Sequence, residues 1–96
     1  MKKNKIVVVG LGYVGLSNSI LLAQNNIVTA VDIDIDKVNH INKGLSPIED
    51  KDIEHYLKNG LLDLNAEFLK PGVYKDSDFA VIATSTNYDE QTLSLI

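Results

Sequence analysis

The sequence predicts an alternating α/β chain built on a parallel sheet, and three observations carry that reading. The apolar run Ile6-Val7-Val8-Val9 leads straight into Gly10-Leu11-Gly12-Tyr13-Val14-Gly15, a Gly-x-Gly-x-x-Gly turn. A second apolar run, Ile27-Val28-Thr29-Ala30-Val31, ends on the acid Asp32. A third, Phe79-Ala80-Val81-Ile82-Ala83, is continuous and uncharged, as in parallel strands covered on both faces. Helical spacing fills the intervals. The expectation is a Rossmann-type sheet of about four strands in the order 3-2-1-4 with helices on both faces, short of the six strands of a complete doubly wound domain.

Each element has its own signal. Gly10 permits a tight turn out of the first strand, Gly12 lets backbone approach a pyrophosphate, and Gly15 lets the following helix pack close to the sheet. From there to Gln24, Leu16, Ile20 and Ala23 share a helical face, and Asn25-Asn26 ends it. Asp34 is placed to cap a second helix in which Val38, Ile41 and Leu45 lie near one face, with Gly44 at its end. Ser46-Pro47 forbids continuation, because the residue before proline is pushed out of the α region. A third helix is expected from about Glu49 to Lys58, with Ile53, Tyr56 and Leu57 on one face and Asn59-Gly60 closing it. Leu62, Leu64 and Ala66 alternate with Asp63, Asn65 and Glu67, the period of a half-exposed strand. Lys70-Pro71-Gly72 is a turn.

Composition narrows the function. The 96 residues amount to one domain at most, with a net charge of −4 and no basic cluster beyond Lys2, Lys3 and Lys5, so nucleic acid is not an expected partner. No apolar run approaches membrane-spanning length, and glycines break up the N-terminal one; the chain is expected to be cytoplasmic. There is no cysteine, hence neither a disulfide nor a thiolate metal site. His40 and His55 stand alone on helical stretches without a second ligand at metal spacing, so no metal site is expected.

Right-handed crossovers bring the loops after strands one, two and four to one carboxyl edge of the sheet. The glycine turn, opening a helix whose unpaired N–H groups attract phosphate, is there a dinucleotide-binding fingerprint. Asp32 at the tip of the second strand is placed to accept hydrogen bonds from both ribose hydroxyls of an adenosine, and it repels a 2′-phosphate. The residues after it add Asp34 and Asp36 and no arginine, which favours NAD over NADP. Lys37 lies one helical turn further on, with the reach to donate to the same ribose, although as a helix-surface lysine it needs no ligand. Thr84-Ser85-Thr86-Asn87 offers hydroxyls to the phosphates or the nicotinamide-side ribose; such runs also serve as ordinary turns.

The segments Val9 to Ser17, Val31-Asp32-Ile33-Asp34 with Lys37-Val38, Gly44-Leu45-Ser46-Pro47-Ile48, and Val81 to Tyr88 together resemble the amino-terminal part of the UDP-glucose 6-dehydrogenases, over essentially the whole chain. The resemblance implies NAD binding through the backbone around Tyr13 and Val14, ribose contacts from Asp32 and Lys37, and a further cofactor contact from Thr86. Dehydrogenases of UDP-N-acetylmannosamine and GDP-mannose share the first motif. Ser85 stands where the family usually has proline between the two threonines, and Ile35 where a helix-starting proline is common. For the full-length enzyme, the resemblance implies a homo-oligomer that oxidises the sugar's C6 alcohol to a carboxylate in two NAD-dependent hydride transfers, using a cysteine. This chain has no cysteine and ends in Gln91-Thr92-Leu93-Ser94-Leu95-Ile96, unlike the family's continuation. The expectation is therefore a partial NAD-binding domain, residues 1–96, without the catalytic and sugar-binding residues and inactive alone. A stand-alone nucleotide-sensing module is the alternative.

Overall fold

In a computed structural model that describes residues 3–83, the order of elements is β1 (Lys5–Val9), α1 (Tyr13–Ala23), β2 (Ile27–Asp32), α2 (Ile35–Asn42), α3 (Lys51–Asn59), β3 (Leu64–Phe68) and β4 (Phe79–Ile82). The four strands form one sheet in the order β3-β2-β1-β4. Every pairing is parallel, with Val8 opposite Ala30 on one side and Val81 on the other, and Ala30 opposite Ala66. Fold class and strand order match the sequence expectation.

Side-chain alternation divides the sheet into two faces. Ile6, Val8, Val28, Ala30 and Ala66 turn to the first face, where they meet Leu16, Ile20 and Ala23 of α1, Val38 and Ile41 of α2, and Ile53 of α3. Val8, Val28 and Ala30 have no exposed surface at all. Each valine so buried contributes roughly 1.5–3 kcal/mol relative to exposure. Val7, Val9 and Val31 turn to the second face, covered by Val73 with Leu69 and Tyr74.

The described helices thus occupy one face, whereas helices on both were expected. The connections from β1 to β2 and from β2 to β3 step in the same direction, so right-handedness sends both over the first face. The connection from β3 to β4 steps back past β2 and β1 and therefore crosses the second face. Pro71 and Gly72, the latter at φ 85°, make that crossing a run of turns. Its Val73 nevertheless closes the core from below.

Local chemistry sets the element ends. Asp34 caps α2 by accepting from the N–H groups of Asp36 and Lys37, and Asp50 caps α3 by accepting from Asp52 and Ile53. Gly44, at φ 75°, ends the α2 region, and Leu45 beyond it is exposed instead of sharing the helix face. The outer edge of β3 is closed by a side chain. The Asn42 amide donates to the Ala66 carbonyl at 2.9 Å and accepts from the Ala66 N–H at 2.8 Å. β4 lies at the other edge, with Phe79 57% and Ile82 54% exposed, so the continuous apolar run is not covered on both faces.

Candidate functional site at the carboxyl edge of the sheet

The ends of β1, β2 and β4 and the start of α2 enclose a cleft of about 270 Å³ lined by Gly10, Leu11, Gly12, Asp32, Ile33, Asp34, Lys37 and Ala83. Three segments were expected to converge here: the glycine turn, the Asp32 region and the loop 84–87 after the fourth strand. The first two meet here, with Ala83 just before the third. Thr84 and Thr86 lie outside the described residues.

The three glycines stand in different surroundings. Gly10 sits at φ 107° as the chain leaves β1, and a Cβ there would overlap the carbonyl oxygen of Ala83. At Gly15, in the first turn of α1, a Cβ would overlap the Gly10 carbonyl oxygen and come within 2.8 Å of its carbon. These two glycines let β1, α1 and the end of β4 lie against one another. At Gly12 an added Cβ meets nothing within 4 Å among the described residues, and φ is −75°. Packing among those residues makes no demand for glycine at that position. What the bare backbone leaves there is open space, at the start of a helix whose first amides receive no side-chain cap.

Tyr13 and Val14 open α1 with exposed side chains and are not among the residues lining the cleft. Leu16 N–H makes the first intrahelical bond, to the Gly12 carbonyl at 2.9 Å. The earlier N–H groups, with the positive end of the helix dipole, form a cradle for an anion.

Asp32 is nearly buried, at 8% exposure. Its Oδ2 accepts from the Leu11 N–H at 2.8 Å, and its Oδ1 accepts from the Asp34 N–H at 2.8 Å. These bonds lock the carboxylate between the glycine turn and the start of α2, while each oxygen retains a lone pair for a further donor. Lys37, half-buried, lines the same cleft from the first turn of α2. Sequence reasoning did not foresee the anchoring role of the Leu11 amide, since a backbone donor carries no residue-type signal. Nor did it foresee that Ala83 is the neighbour Gly10 must accommodate.

A shallower groove of about 200 Å³ between α1 and α3 is lined by Tyr13, Leu21, Ile53 and Tyr56, among others. Of its two acids, Asp50 and Asp52, the first is engaged in capping α3.

The model of the NAD binding domain of the UDP-glucose/GDP-mannose dehydrogenase family matches residues 4–94. The chain belongs to that family. A UDP-glucose 6-dehydrogenase of Streptococcus pneumoniae is 51% identical over 85 residues, 88% of this chain and 22% of the relative. One of Campylobacter jejuni is 49% identical over 89 residues, covering 91% and 23%. Among solved structures, the UDP-N-acetyl-mannosamine dehydrogenase of S. aureus superposes with a TM-score of 0.75 at 29% identity, over 95% of this chain and 23% of that one. The chain spans about a fifth of the length of the curated relatives it matches. It is the NAD-binding part of a dehydrogenase family, and NAD is its cofactor. Among the described residues, no helix is long and apolar enough to cross a membrane.

The site suits that cofactor. The open space at Gly12 before uncapped amides fits a pyrophosphate, and a fixed carboxylate with spare lone pairs fits a ribose diol.

Proposed function

We propose that this chain holds the adenosine and pyrophosphate portion of NAD for a UDP-glucose 6-dehydrogenase. The observation that carries the assignment is the clamp on Asp32, a residue lining the cleft beside the glycine turn, whose two oxygens are fixed by the Leu11 and Asp34 amides. In this reading the backbone of Gly10, Gly12, Tyr13, Val14 and Gly15 receives the pyrophosphate. Asp32 accepts from the adenosine ribose, Lys37 donates to it, and Thr84 and Thr86 contact the cofactor further along.

Bound NAD supplies a hydride acceptor. The residues of this chain bind and orient it. Asp32 also discriminates, because a 2′-phosphate would meet a carboxylate in a nearly closed position, with Asp34 and Asp36 adding negative charge. UDP-glucose is the substrate we assign to the longer protein, supported by two relatives near 50% identity that carry that activity in their names. Oxidation of the sugar alcohol requires groups outside this chain, and the chain alone should not reduce NAD with UDP-glucose.

Titration calorimetry with NAD and NADP tests the binding assignment. Selective NAD binding is expected; equal affinity for the two would remove the ribose role of Asp32. An assay for NADH formation from UDP-glucose, UDP-N-acetylmannosamine and GDP-mannose tests the second point, and turnover by the purified chain would defeat it.

A further inference from the structure

We infer that Asn42, remote from the cleft, is a positioning residue for NAD: its paired bonds to Ala66 fix α2 along the sheet and so fix Lys37 opposite Asp32. This rests on the assignment of Lys37 to the cofactor made above.

α2 is held to the sheet by two kinds of contact. Val38 and Ile41 are buried against Ala30 and Ala66, and such apolar contact is non-directional, so by itself it allows a short helix to slide or roll. The directional contacts lie at the two ends. At the start, the Asp34 N–H reaches Asp32 Oδ1. At the end, Asn42 makes both of its amide bonds to one residue of β3, the Ala66 N–H and carbonyl, as a neighbouring strand would.

That pair admits only one offset between helix and strand. A helical rise of about 1.5 Å per residue puts Lys37 roughly 7.5 Å up the axis from Asn42 on a rigid element. β3 pairs in register with β2, and β2 ends on Asp32. Asn42, Ala66, β2 and Asp32 therefore form a closed frame from which Lys37 extends as a cationic arm lining the same cleft as Asp32. Capping chemistry gives no reason for this arrangement, since an asparagine at the last position of a helix ordinarily serves its own backbone.

The test is a double-mutant cycle read by NAD titration of the whole chain, with thermal melts alongside. Asn42→Ala removes both bonds, and Asn42→Asp keeps the acceptor while setting a carboxylate oxygen against the Ala66 carbonyl. Asp50→Ala, which uncaps α3 away from the cleft, serves as the control for lost stability. Each Asn42 variant, titrated well below its melting temperature, should bind NAD more weakly by roughly three- to tenfold, the scale for residues sharing one network. In a Lys37→Ala background the same Asn42 substitution should have no further effect on affinity. The control should lose stability and keep its affinity.

Unchanged affinity in the Asn42 variants, with Lys37→Ala weakening binding, overturns the positioning role and leaves the Lys37 assignment standing. Full additivity of the two substitutions also overturns it. Lys37→Ala without effect removes the assignment and the proposal together, as does failure of the unmodified chain to bind NAD. If neither Asn42 variant folds, Asn42 is a structural residue and the proposal falls.

Discussion

Gly12→Ala separates what the fold needs from what the ligand needs. Alanine adopts the φ of −75° found there without strain, and its Cβ meets no heavy atom of the described residues within 4 Å. Replacing glycine restricts the unfolded chain and favours folding by about 0.4–1 kcal/mol. Alanine is a poorer N-cap than glycine by a comparable amount, roughly 0.5–1 kcal/mol. The two effects offset, so the melting temperature should stay within about 4–8 °C of the unmodified chain, the shift that ~1 kcal/mol produces in a domain of this size. Binding should respond much more. The new methyl group occupies the space the pyrophosphate needs, and loss of one charge-assisted hydrogen bond costs about 1.5–3 kcal/mol. That is roughly 10- to 150-fold in Kd for NAD.

Gly15→Ala supplies the contrast. Its Cβ would overlap the Gly10 carbonyl, a backbone group that no rotamer change can move aside. Overpacking against side chains already costs about 1–3 kcal/mol, against a total stability of order 5–15 kcal/mol for such a domain. Gly15→Ala should therefore melt roughly 10 °C lower or more, taking several degrees per kcal/mol. Thermal melts and calorimetric NAD titrations on the two variants decide the matter. If Gly12→Ala melts as low as Gly15→Ala, or binds NAD as the unmodified chain does, the division of labour among the glycines is wrong.

Asp32→Ala should cost stability and selectivity together: it strips acceptors from the Leu11 and Asp34 amides, each left unsatisfied at about 1–3 kcal/mol where buried, and NADP should gain on NAD in parallel titrations. Asp50→Ala should lower stability by about 1 kcal/mol through loss of the α3 cap, seen as a lower denaturation midpoint with unchanged NAD affinity. Because β4 presents an exposed apolar edge, the chain should self-associate with rising concentration in sedimentation velocity, and Ile82→Lys should shift it toward monomer; a monomeric unmodified chain would show that the edge is already protected.

Much of this architecture was legible in the sequence, because local chemistry and tertiary demand agree there. Asp34 read as a cap and acts as one, whereas Asp50, expected inside a third helix starting near Glu49, instead caps α3 from just outside it. Ile6 to Val9 read as an apolar strand and form one that is buried, and Asp32 read as the acid at a strand tip and lies in the cleft. What was not legible depends on partners distant in sequence. The apolar run of β4 is the same whether the strand is central or at an edge, so its composition could not announce that Phe79 and Ile82 would be half exposed. Val73, in a segment read only for its turn residues, closes the second face because topology sends the crossing there.

The glycine motif shows the same limit from the other side. As letters, Gly10, Gly12 and Gly15 are equivalent, and each was given its role by analogy with the fingerprint. The structure separates them by what stands nearby among the described residues: backbone of Ala83 at the first, backbone of Gly10 at the third, nothing at the second. Two glycines are demanded by packing and would be needed in a ligand-free domain of this shape. The remaining one has no packing reason to be glycine among the described residues, and on the proposed reading the open space in front of it receives the cofactor's charge. The argument for a binding site therefore rests on Gly12 and on the fixed carboxylate of Asp32 beside it, more than on the motif as a whole.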